Sequence, residues 1–87
     1  MKVSLYTTLG CHLCEEAHAM LQYLKANGHP LEIESIEIAD DESLMERYGI
    51  RIPVISLADA ELGWPFTLEQ LASFLADQGL SGPQPRG

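Results

Sequence analysis

The sequence predicts an α/β fold in which a four-stranded mixed sheet carries helices on both faces, in the order β-α-β-α-β-β-α. Three observations support this prediction. Two short apolar segments flank a stretch with helical periodicity, which is typical of a parallel β-α-β unit. Two later apolar segments are separated by only a short turn, so they are expected to run antiparallel. A last stretch with helical periodicity follows them.

The first strand and the first helix are predicted near the N-terminus. Residues 3–6 form a short apolar run that predicts the strand, and residues 7–10 form the turn that follows it. Apolar residues then recur at helical spacing along one stripe, which consists of Leu13, Ala17, Met20, Leu21 and Leu24. Asn27 and Gly28 predict the end of this helix.

The second strand and the second helix follow directly. Residues 31–38 predict the strand, with a bend or bulge near Ser35 because the apolar register changes there. Acidic residues 40–42 open a short helix, where their charge suits the positive end of the helix dipole. Gly49 predicts the end of this helix. The side chains expected to face inward from it are Leu44, Met45 and Tyr48.

The last part of the chain predicts a hairpin and a helix. Residues 52–57 predict the third strand, entered through a proline that needs no ladder N–H at a first strand position. Asp59–Ala60 predicts the hairpin turn, and Glu61–Leu62 predicts a short fourth strand. Thr67 and Gln70 have the spacing of a capping box, which predicts the start of the last helix.

Length and composition predict a single domain. We expect it to cover residues 1–79, with Gly79 ending the last helix and a disordered tail rich in Gly and Pro at residues 80–87. The apolar fraction of 46% favours a folded globule. With 13 acidic residues, 5 basic residues and a net charge of −8, the chain lacks the basic surface that nucleic-acid binding requires.

A cytoplasmic location is also predicted. Every apolar run is shorter than the roughly 20 residues that span a membrane, so no membrane association is expected. The segment 1–6 becomes polar too early for a secretory signal. In a reducing compartment, a cysteine pair serves catalysis or metal binding more often than structural crosslinking.

Two cysteines, the only ones in the chain, lie at the predicted start of the first helix in the segment Cys11-His12-Leu13-Cys14. A pair on one helical turn can close into a small disulfide ring, or open to a dithiol, with little backbone movement. N–H groups at a helix start stabilise a thiolate on the first cysteine. Cys11 is therefore the predicted nucleophile, and Cys14, one turn further inward, is the predicted resolving thiol.

Other features resemble a known family. Tyr6 lies five residues before Cys11, Ile52-Pro53 follows the second predicted helix, and residues 63–66 read Gly-Trp-Pro-Phe. Together with the CxxC pair, they resemble the glutaredoxin branch of the thioredoxin superfamily over residues 2–78, and most closely its short glutaredoxin-like members. The resemblance implies a thioredoxin-like fold and a thiol–disulfide oxidoreductase with a redox-active disulfide.

The same resemblance implies a substrate-binding edge. Pro53 is expected to be a cis-proline that lies against the cysteines, which leaves the backbone of Ile52 free to pair with a substrate peptide. Trp64 is expected either to wall the binding groove or to cap the core beside the last helix. His12 would stabilise the Cys11 thiolate when protonated, or would simply be solvated.

Three positions depart from the glutathione-binding pattern of this family. Thr8 replaces a lysine, Trp64 replaces the second glycine of a Gly-Gly pair, and Phe66 and Thr67 replace an acidic residue at the last helix. We therefore expect no resident cofactor, and glutathione and a thioredoxin reductase are alternative electron donors. The expected partners are protein or small-molecule disulfides, and the expected state is a monomer.

Two other interpretations remain open from the sequence. The chain could be a non-catalytic thioredoxin-fold binding module that holds a partner through Ile52, Pro53 and Trp64, with incidental cysteines. It could also carry a metal or a cluster, because His18 lies four residues after Cys14 and could join both cysteines as a ligand. The sequence offers no evident fourth ligand, so no metal site is expected.

Overall fold

The computed structural model describes residues 2–78. It contains four strands and three α-helices in the predicted order, with one short 3₁₀ turn between the second strand and the second helix. The elements are β1 (Lys2–Thr7), α1 (His12–Ala26), β2 (Glu32–Glu37), the 3₁₀ turn (Ile38–Asp40), α2 (Glu42–Tyr48), β3 (Val54–Leu57), β4 (Ala60–Gly63) and α3 (Leu68–Asp77). The α/β fold class is thereby confirmed.

The four strands form one mixed sheet in the order β2-β1-β3-β4. β1 and β2 are parallel, with pairs that run from Lys2 opposite Glu32 to Thr7 opposite Glu37. β3 is antiparallel to both β1 and β4. The first crossover therefore connects neighbouring parallel strands through α1, as a β-α-β unit requires.

Helices cover both faces of the sheet, as predicted. One face packs against α1 and α3 in the larger core cluster, which comprises Val3, Leu5, Ala17, Leu21, Leu24, Leu31, Ile55, Leu57, Phe66, Leu71 and Leu75. The opposite face packs against α2 in a smaller cluster of Ile38, Tyr48 and Val54. Because side chains alternate along a strand, neighbours such as Val54 and Ile55 contribute to different clusters.

This two-faced core explains why the expected bulge near Ser35 is wrong. The pairing of β1 with β2 is unbroken through Ser35, which lies opposite Leu5. The apolar register of the segment changes because Ile33 packs against the larger cluster, whereas Ile38 belongs to the smaller one. The strand itself ends at Glu37, and Ile38 already begins the 3₁₀ turn.

Two predicted core side chains are exposed instead. Leu13 was expected in the buried stripe of α1 but is 42% exposed, and Cys14 takes the inward position at that turn. The stripe is therefore rotated by one residue at its N-terminal end. Met45 of α2 is 45% exposed, while Tyr48 supplies the buried contact of that helix.

The hairpin turn lies one residue earlier than predicted. Leu57 pairs with Ala60, so the turn consists of Ala58 and Asp59 rather than Asp59 and Ala60. Ala58 has a φ of 57°, a conformation that tight hairpin turns demand and that alanine rarely adopts. β4 consequently runs over Ala60–Gly63 and is longer than the predicted Glu61–Leu62.

The predicted capping box is present at the start of α3. The Gln70 N–H donates to the Thr67 hydroxyl at 3.0 Å, and the Thr67 N–H donates to Gln70 Oε1 at 2.9 Å. The predicted helix end at Gly79 and the predicted tail at residues 80–87 lie outside the described residues. Within residues 2–78, none of the helices combines the length and the apolar character needed to cross a membrane.

Candidate active site

Cys11 and Cys14 are joined by a disulfide bond at the start of α1, with their Cα atoms 5.2 Å apart. Cys11 is the N-cap residue of the helix, and its Sγ accepts a hydrogen bond from the Cys14 N–H at 3.1 Å. Cys11 is partly exposed, whereas Cys14 is only 2% exposed. Cys11 is therefore the more accessible member of the pair.

The loop that leads to Cys11 is held by a carboxylate from the neighbouring strand. Glu37, at the end of β2, accepts hydrogen bonds from the Leu9 N–H at 3.0 Å and, through its other oxygen, from the Ala39 N–H at 3.0 Å. The Thr8 hydroxyl also donates to this carboxylate. One side chain thus connects the loop before Cys11 to the 3₁₀ turn after β2.

These contacts also keep Glu37 charged. The hydrogen bond from Thr8 contributes most to lowering the pKa of Glu37, and the Ala39 and Leu9 N–H groups act in the same direction against the effect of burial. Sequence reasoning did not single out Glu37. The signal that could have found it is the parallel pairing, which places Glu37 opposite Thr7, next to the loop.

A cavity of about 310 Å³ lies on this side of the disulfide. Its wall includes both cysteines, the loop before them, the first turns of α1 and the end of β2. The lining residues are Leu5, Thr7, Thr8, Leu9, Gly10, Cys11, Cys14, Glu15, His18, Ser35 and Glu37. Space for a small molecule is therefore available directly beside Cys11.

The Ile52–Pro53 segment lies at the same end of the sheet. Val54 pairs with Tyr6 in antiparallel register, so Pro53 comes level with Thr7, where the loop to Cys11 departs. The Ile52–Pro53 peptide bond is cis, and Pro53 is buried. Ile52 is half-buried and packs against the smaller core cluster.

Trp64 is fixed beside Pro53. Its backbone N–H donates to the Pro53 carbonyl at 3.1 Å, and its ring lies edge-on to Phe66 with the centroids 5.0 Å apart. The ring packs against the larger core cluster and remains half-buried. Trp64 therefore has a packing role, and part of it still reaches the surface. The Trp64–Pro65 peptide bond is also cis.

His12 is the remaining predicted site residue. It is the first residue of α1, is exposed and does not line the cavity. The backbone N–H that donates to the Cys11 sulfur belongs to Cys14 rather than to His12. Ile52, Pro53 and Trp64 do not line the cavity either. The predicted site residues therefore lie at one end of the sheet without sharing one pocket.

The positions that depart from the glutathione pattern are occupied by internal contacts. The Thr8 hydroxyl donates to Glu37, the Trp64 ring contacts Phe66, and the Thr67 hydroxyl caps α3. The cysteines and His18 line one cavity, but within residues 2–78 no group of three or more His, Cys, Asp or Glu side chains is arranged to hold a metal ion.

A polar cluster adjoins the Ile52–Pro53 segment, where the Ile52 N–H donates to the Tyr48 carbonyl at 3.1 Å. The Tyr48 hydroxyl donates to Glu61, the Tyr48 ring stacks on Tyr6 with centroids 4.2 Å apart, and Arg51 lies 3.6 Å from Glu61. Burial, followed by the hydrogen bond to Glu61, raises the pKa of Tyr48 to about 12. Arg51 is thus engaged by an acidic residue of the chain itself.

Comparison with known proteins gives one family match. Residues 2–76 match the family described as Glutaredoxin-like domain (DUF836). The X-ray structure of target protein XcR50 from X. campestris is 34% identical, over 86% of this chain and 96% of that one, with a TM-score of 0.76. The solution structure of Ne2328 from Nitrosomonas europaea is 33% identical, over 84% and 88% of the two chains, with a TM-score of 0.71.

More distant structural similarity confirms the thioredoxin-like fold. Thioredoxin 1 from Thermosipho africanus TCF52B is 16% identical and has a TM-score of 0.61, with 91% of this chain and 99% of that chain aligned. No curated protein matches the chain.

Proposed function

Because this chain belongs to the glutaredoxin-like family, we propose that it is a thiol–disulfide oxidoreductase that uses Cys11 and Cys14 in a two-thiol reaction. The observation that supports this proposal most strongly is the unequal exposure of the two bonded cysteines. Cys11 is partly exposed at the helix start, whereas Cys14 is almost completely buried. An incoming disulfide is therefore expected to react at Cys11 in preference to Cys14.

The reaction begins with the reduced protein. The Cys11 thiolate attacks one sulfur of the substrate disulfide, the substrate S–S bond breaks, and the other substrate sulfur leaves as a thiolate. Cys14 then gives up its proton to solvent and attacks Cys11 Sγ, which displaces the second substrate thiolate. Two electrons have passed to the substrate, and the Cys11–Cys14 disulfide remains.

Local structure supports Cys11 as the nucleophile. The Cys14 N–H that donates to its Sγ would also stabilise a thiolate there, and the positive end of the α1 dipole acts in the same direction. Glu15 in the first turn opposes this effect, because its negative charge disfavours a second one nearby. Burial of Cys14 keeps it from competing for substrate.

A protein substrate would bind along the Ile52–Pro53 edge, with Trp64 and His12 beside it. Two observations support this placement: the sheet register brings Pro53 level with the end of β1, and Ile52 and Trp64 are both partly exposed. The expectation that the whole Ile52 backbone is free is wrong, because the Ile52 N–H donates to the Tyr48 carbonyl at 3.1 Å. The Ile52 carbonyl would therefore be the group that accepts a hydrogen bond from an extended peptide, while the neighbouring side chains contact its side chains.

The proposal includes several properties of the whole protein. We place it in the cytoplasm as a monomer that binds neither nucleic acid nor membranes and holds no resident cofactor. The net charge of −8 supports the absence of nucleic-acid binding. The use of the only two cysteines in one CxxC pair supports a reducing compartment.

Disulfide reduction assays test the proposal. Insulin and bis(2-hydroxyethyl) disulfide serve as substrates, with glutathione or a thioredoxin reductase as alternative electron donors. We expect Cys11→Ser to abolish turnover, because the attacking sulfur is lost. Cys14→Ser should still react once and then accumulate mixed disulfides on Cys11, which mass spectrometry detects.

The same assay separates this proposal from a binding module. A reduced wild-type protein that reacts with both disulfides no faster than free cysteine would contradict the proposal. Equal loss of turnover in both cysteine variants, without mixed disulfides on Cys14→Ser, would contradict the assignment of separate roles to the two sulfurs.

A further inference from the structure

The cavity beside the disulfide offers a second approach to Cys11. It opens on the side of β2, and its volume of about 310 Å³ is enough for a small disulfide. None of His12, Ile52, Pro53 and Trp64 lines it. A small molecule in this cavity could therefore reach the Cys11 sulfur without occupying the edge proposed for protein substrates.

The carboxylates that line this cavity are Glu15 and Glu37. Glu37 is kept ionised by its hydrogen bonds from Thr8, Ala39 and Leu9. Glu15 lies in the first turn of α1, where the helix dipole favours a negative charge. The described lining residues include no lysine or arginine, and His18 is the one basic side chain among them. Two carboxylates against one imidazole make the local field favour positively charged ligands.

Polar and apolar groups share the remaining wall. Leu5 and Leu9 provide apolar surface, while Thr7 and Ser35 provide hydroxyl groups. Thr8, at the position where glutathione-binding relatives have lysine, donates its hydroxyl to Glu37. A carboxylate-bearing disulfide would therefore meet two carboxylates here and no ammonium group.

We propose that this cavity binds the small-molecule substrate and selects disulfides with cationic or neutral substituents over anionic ones. The inference rests on the proposed oxidoreductase function and specifies a substrate class for the same two sulfurs. Reduced protein and one disulfide RS–SR yield the Cys11–Cys14 disulfide and two RSH molecules, so no further reductant is needed for a single turnover.

A charge series of similar small disulfides tests the selection. Cystamine carries two ammonium groups, bis(2-hydroxyethyl) disulfide is neutral, and dithiodiglycolate carries two carboxylates. Pre-reduced protein is mixed with each, and acid quenching followed by alkylation gives the single-turnover rate. Each rate is divided by that of dithiothreitol with the same disulfide, which removes differences in intrinsic reactivity. We expect the order cystamine, neutral disulfide, dithiodiglycolate, with about three- to tenfold between the extremes.

Two neighbouring glutamates provide a matched pair of variants. Glu15 lines the cavity, whereas Glu16 is exposed on the same helix and does not line it. Glu15→Lys and Glu16→Lys change the net charge by the same amount. Any change in the fraction of Cys11 that is present as thiolate cancels in the ratio of the cystamine rate to the dithiodiglycolate rate, because the same sulfur attacks both disulfides. We expect about a threefold or larger fall in this ratio for Glu15→Lys and a smaller fall for Glu16→Lys.

A trapped intermediate locates the small molecule. Cys14→Ser treated with cystamine should carry cysteamine on Cys11, and backbone amide NMR shifts can be compared with those of the untreated variant. We expect the largest changes at His18 and Ser35, which line the cavity, and small changes at Ile52 and Trp64.

These results distinguish the two proposals. A wild type that reacts with all three disulfides no faster than a free thiol would overturn the oxidoreductase proposal itself. Rapid reaction with equal normalised rates across the series, or equal effects of Glu15→Lys and Glu16→Lys, would overturn only the assignment of the cavity. NMR shift changes concentrated at Ile52 and Trp64 would also overturn the assignment of the cavity, because they would place small disulfides on the other side of Cys11.

Discussion

The two flanks of the disulfide hold their backbone in different ways. On the carboxylate flank, which comprises residues 8–10, Glu37 and the cavity, three hydrogen bonds converge on one carboxylate and an open space remains. On the proline flank, which comprises Ile52, Pro53 and Trp64, half-buried side chains pack against both core clusters. The first flank has a hydrogen-bonded carboxylate beside an open cavity, whereas the second is apolar and closely packed.

This difference separates two kinds of contribution to the site. The carboxylate flank sets the position of the loop before Cys11 and the charge around it, so substitutions there should change reactivity more than stability. The proline flank connects the site to the core through Trp64, so substitutions there should change stability more than reactivity.

The largest expected effect is on the proline flank. Trp64→Ala removes the contact with Phe66 and part of the larger core cluster. We expect the free energy of unfolding to fall by about 2–3 kcal/mol, less than a fully buried tryptophan would cost. Urea denaturation measures the loss, and Trp64→Phe serves as a control that retains an aromatic ring. A loss under about 0.5 kcal/mol would show that the ring has little packing role.

A smaller effect on stability is expected on the carboxylate flank, together with a clear effect on reactivity. Glu37→Gln should destabilise the protein less than Trp64→Ala but slow the reaction of Cys11 with disulfides, because losing the charged acceptor of the loop outweighs the gain in thiolate stability from removing a nearby negative charge. Glu34→Gln, an exposed change on the same strand, is the control. Unchanged Cys11 reactivity in Glu37→Gln would contradict the positioning role of this carboxylate.

The stability contributed by Glu37 should depend on pH. Its pKa is lowered in the folded protein, so its contribution is present above the pKa of the unfolded chain and disappears as pH falls through the folded value. The difference in stability between wild type and Glu37→Gln should therefore shrink in acid. A difference that is constant with pH would contradict the hydrogen bonds assigned to the ionised carboxylate.

The smallest expected effect is in the polar cluster that adjoins the proline flank. Tyr48→Phe removes the hydrogen bond to Glu61 and should cost about 1 kcal/mol near neutral pH. The pKa of Tyr48 is raised to about 12, so this contribution is complete below the unfolded value of about 10 and is lost as pH rises through the folded one. Chemical denaturation at alkaline pH, with exposed Tyr23→Phe as control, measures it. Persistence of the difference above the folded pKa would contradict the assignment.

Features of the site that depend on neighbouring residues could be predicted from the sequence. The N-cap position of Cys11 follows from the CxxC spacing at a helix start, and the capping box of Thr67 and Gln70 follows from their separation. The order of the elements follows from periodicity and turn residues in the same way. In each case the interacting groups lie within a few positions of one another.

Features that depend on distant residues were missed. Glu37 and Leu9 are 28 positions apart, and only the strand pairing brings them together. The bulge expected at Ser35 was wrong because the two ends of that segment pack on opposite faces of the sheet, which changes the apolar register without interrupting the strand pairing. The hairpin turn was displaced because Ala58 carries no residue signal for the positive φ that it adopts.

The most direct test of the account compares the two reduced thiols. Reduced protein is treated with a small amount of iodoacetamide near neutral pH, and the labelled cysteine is identified by peptide mass spectrometry over time. We expect Cys11 to be labelled faster than free cysteine and Cys14 to be labelled only after unfolding, since Cys14 is 2% exposed. Equal labelling of both cysteines, or earlier labelling of Cys14, would contradict the division between an accessible nucleophile and a buried resolving thiol.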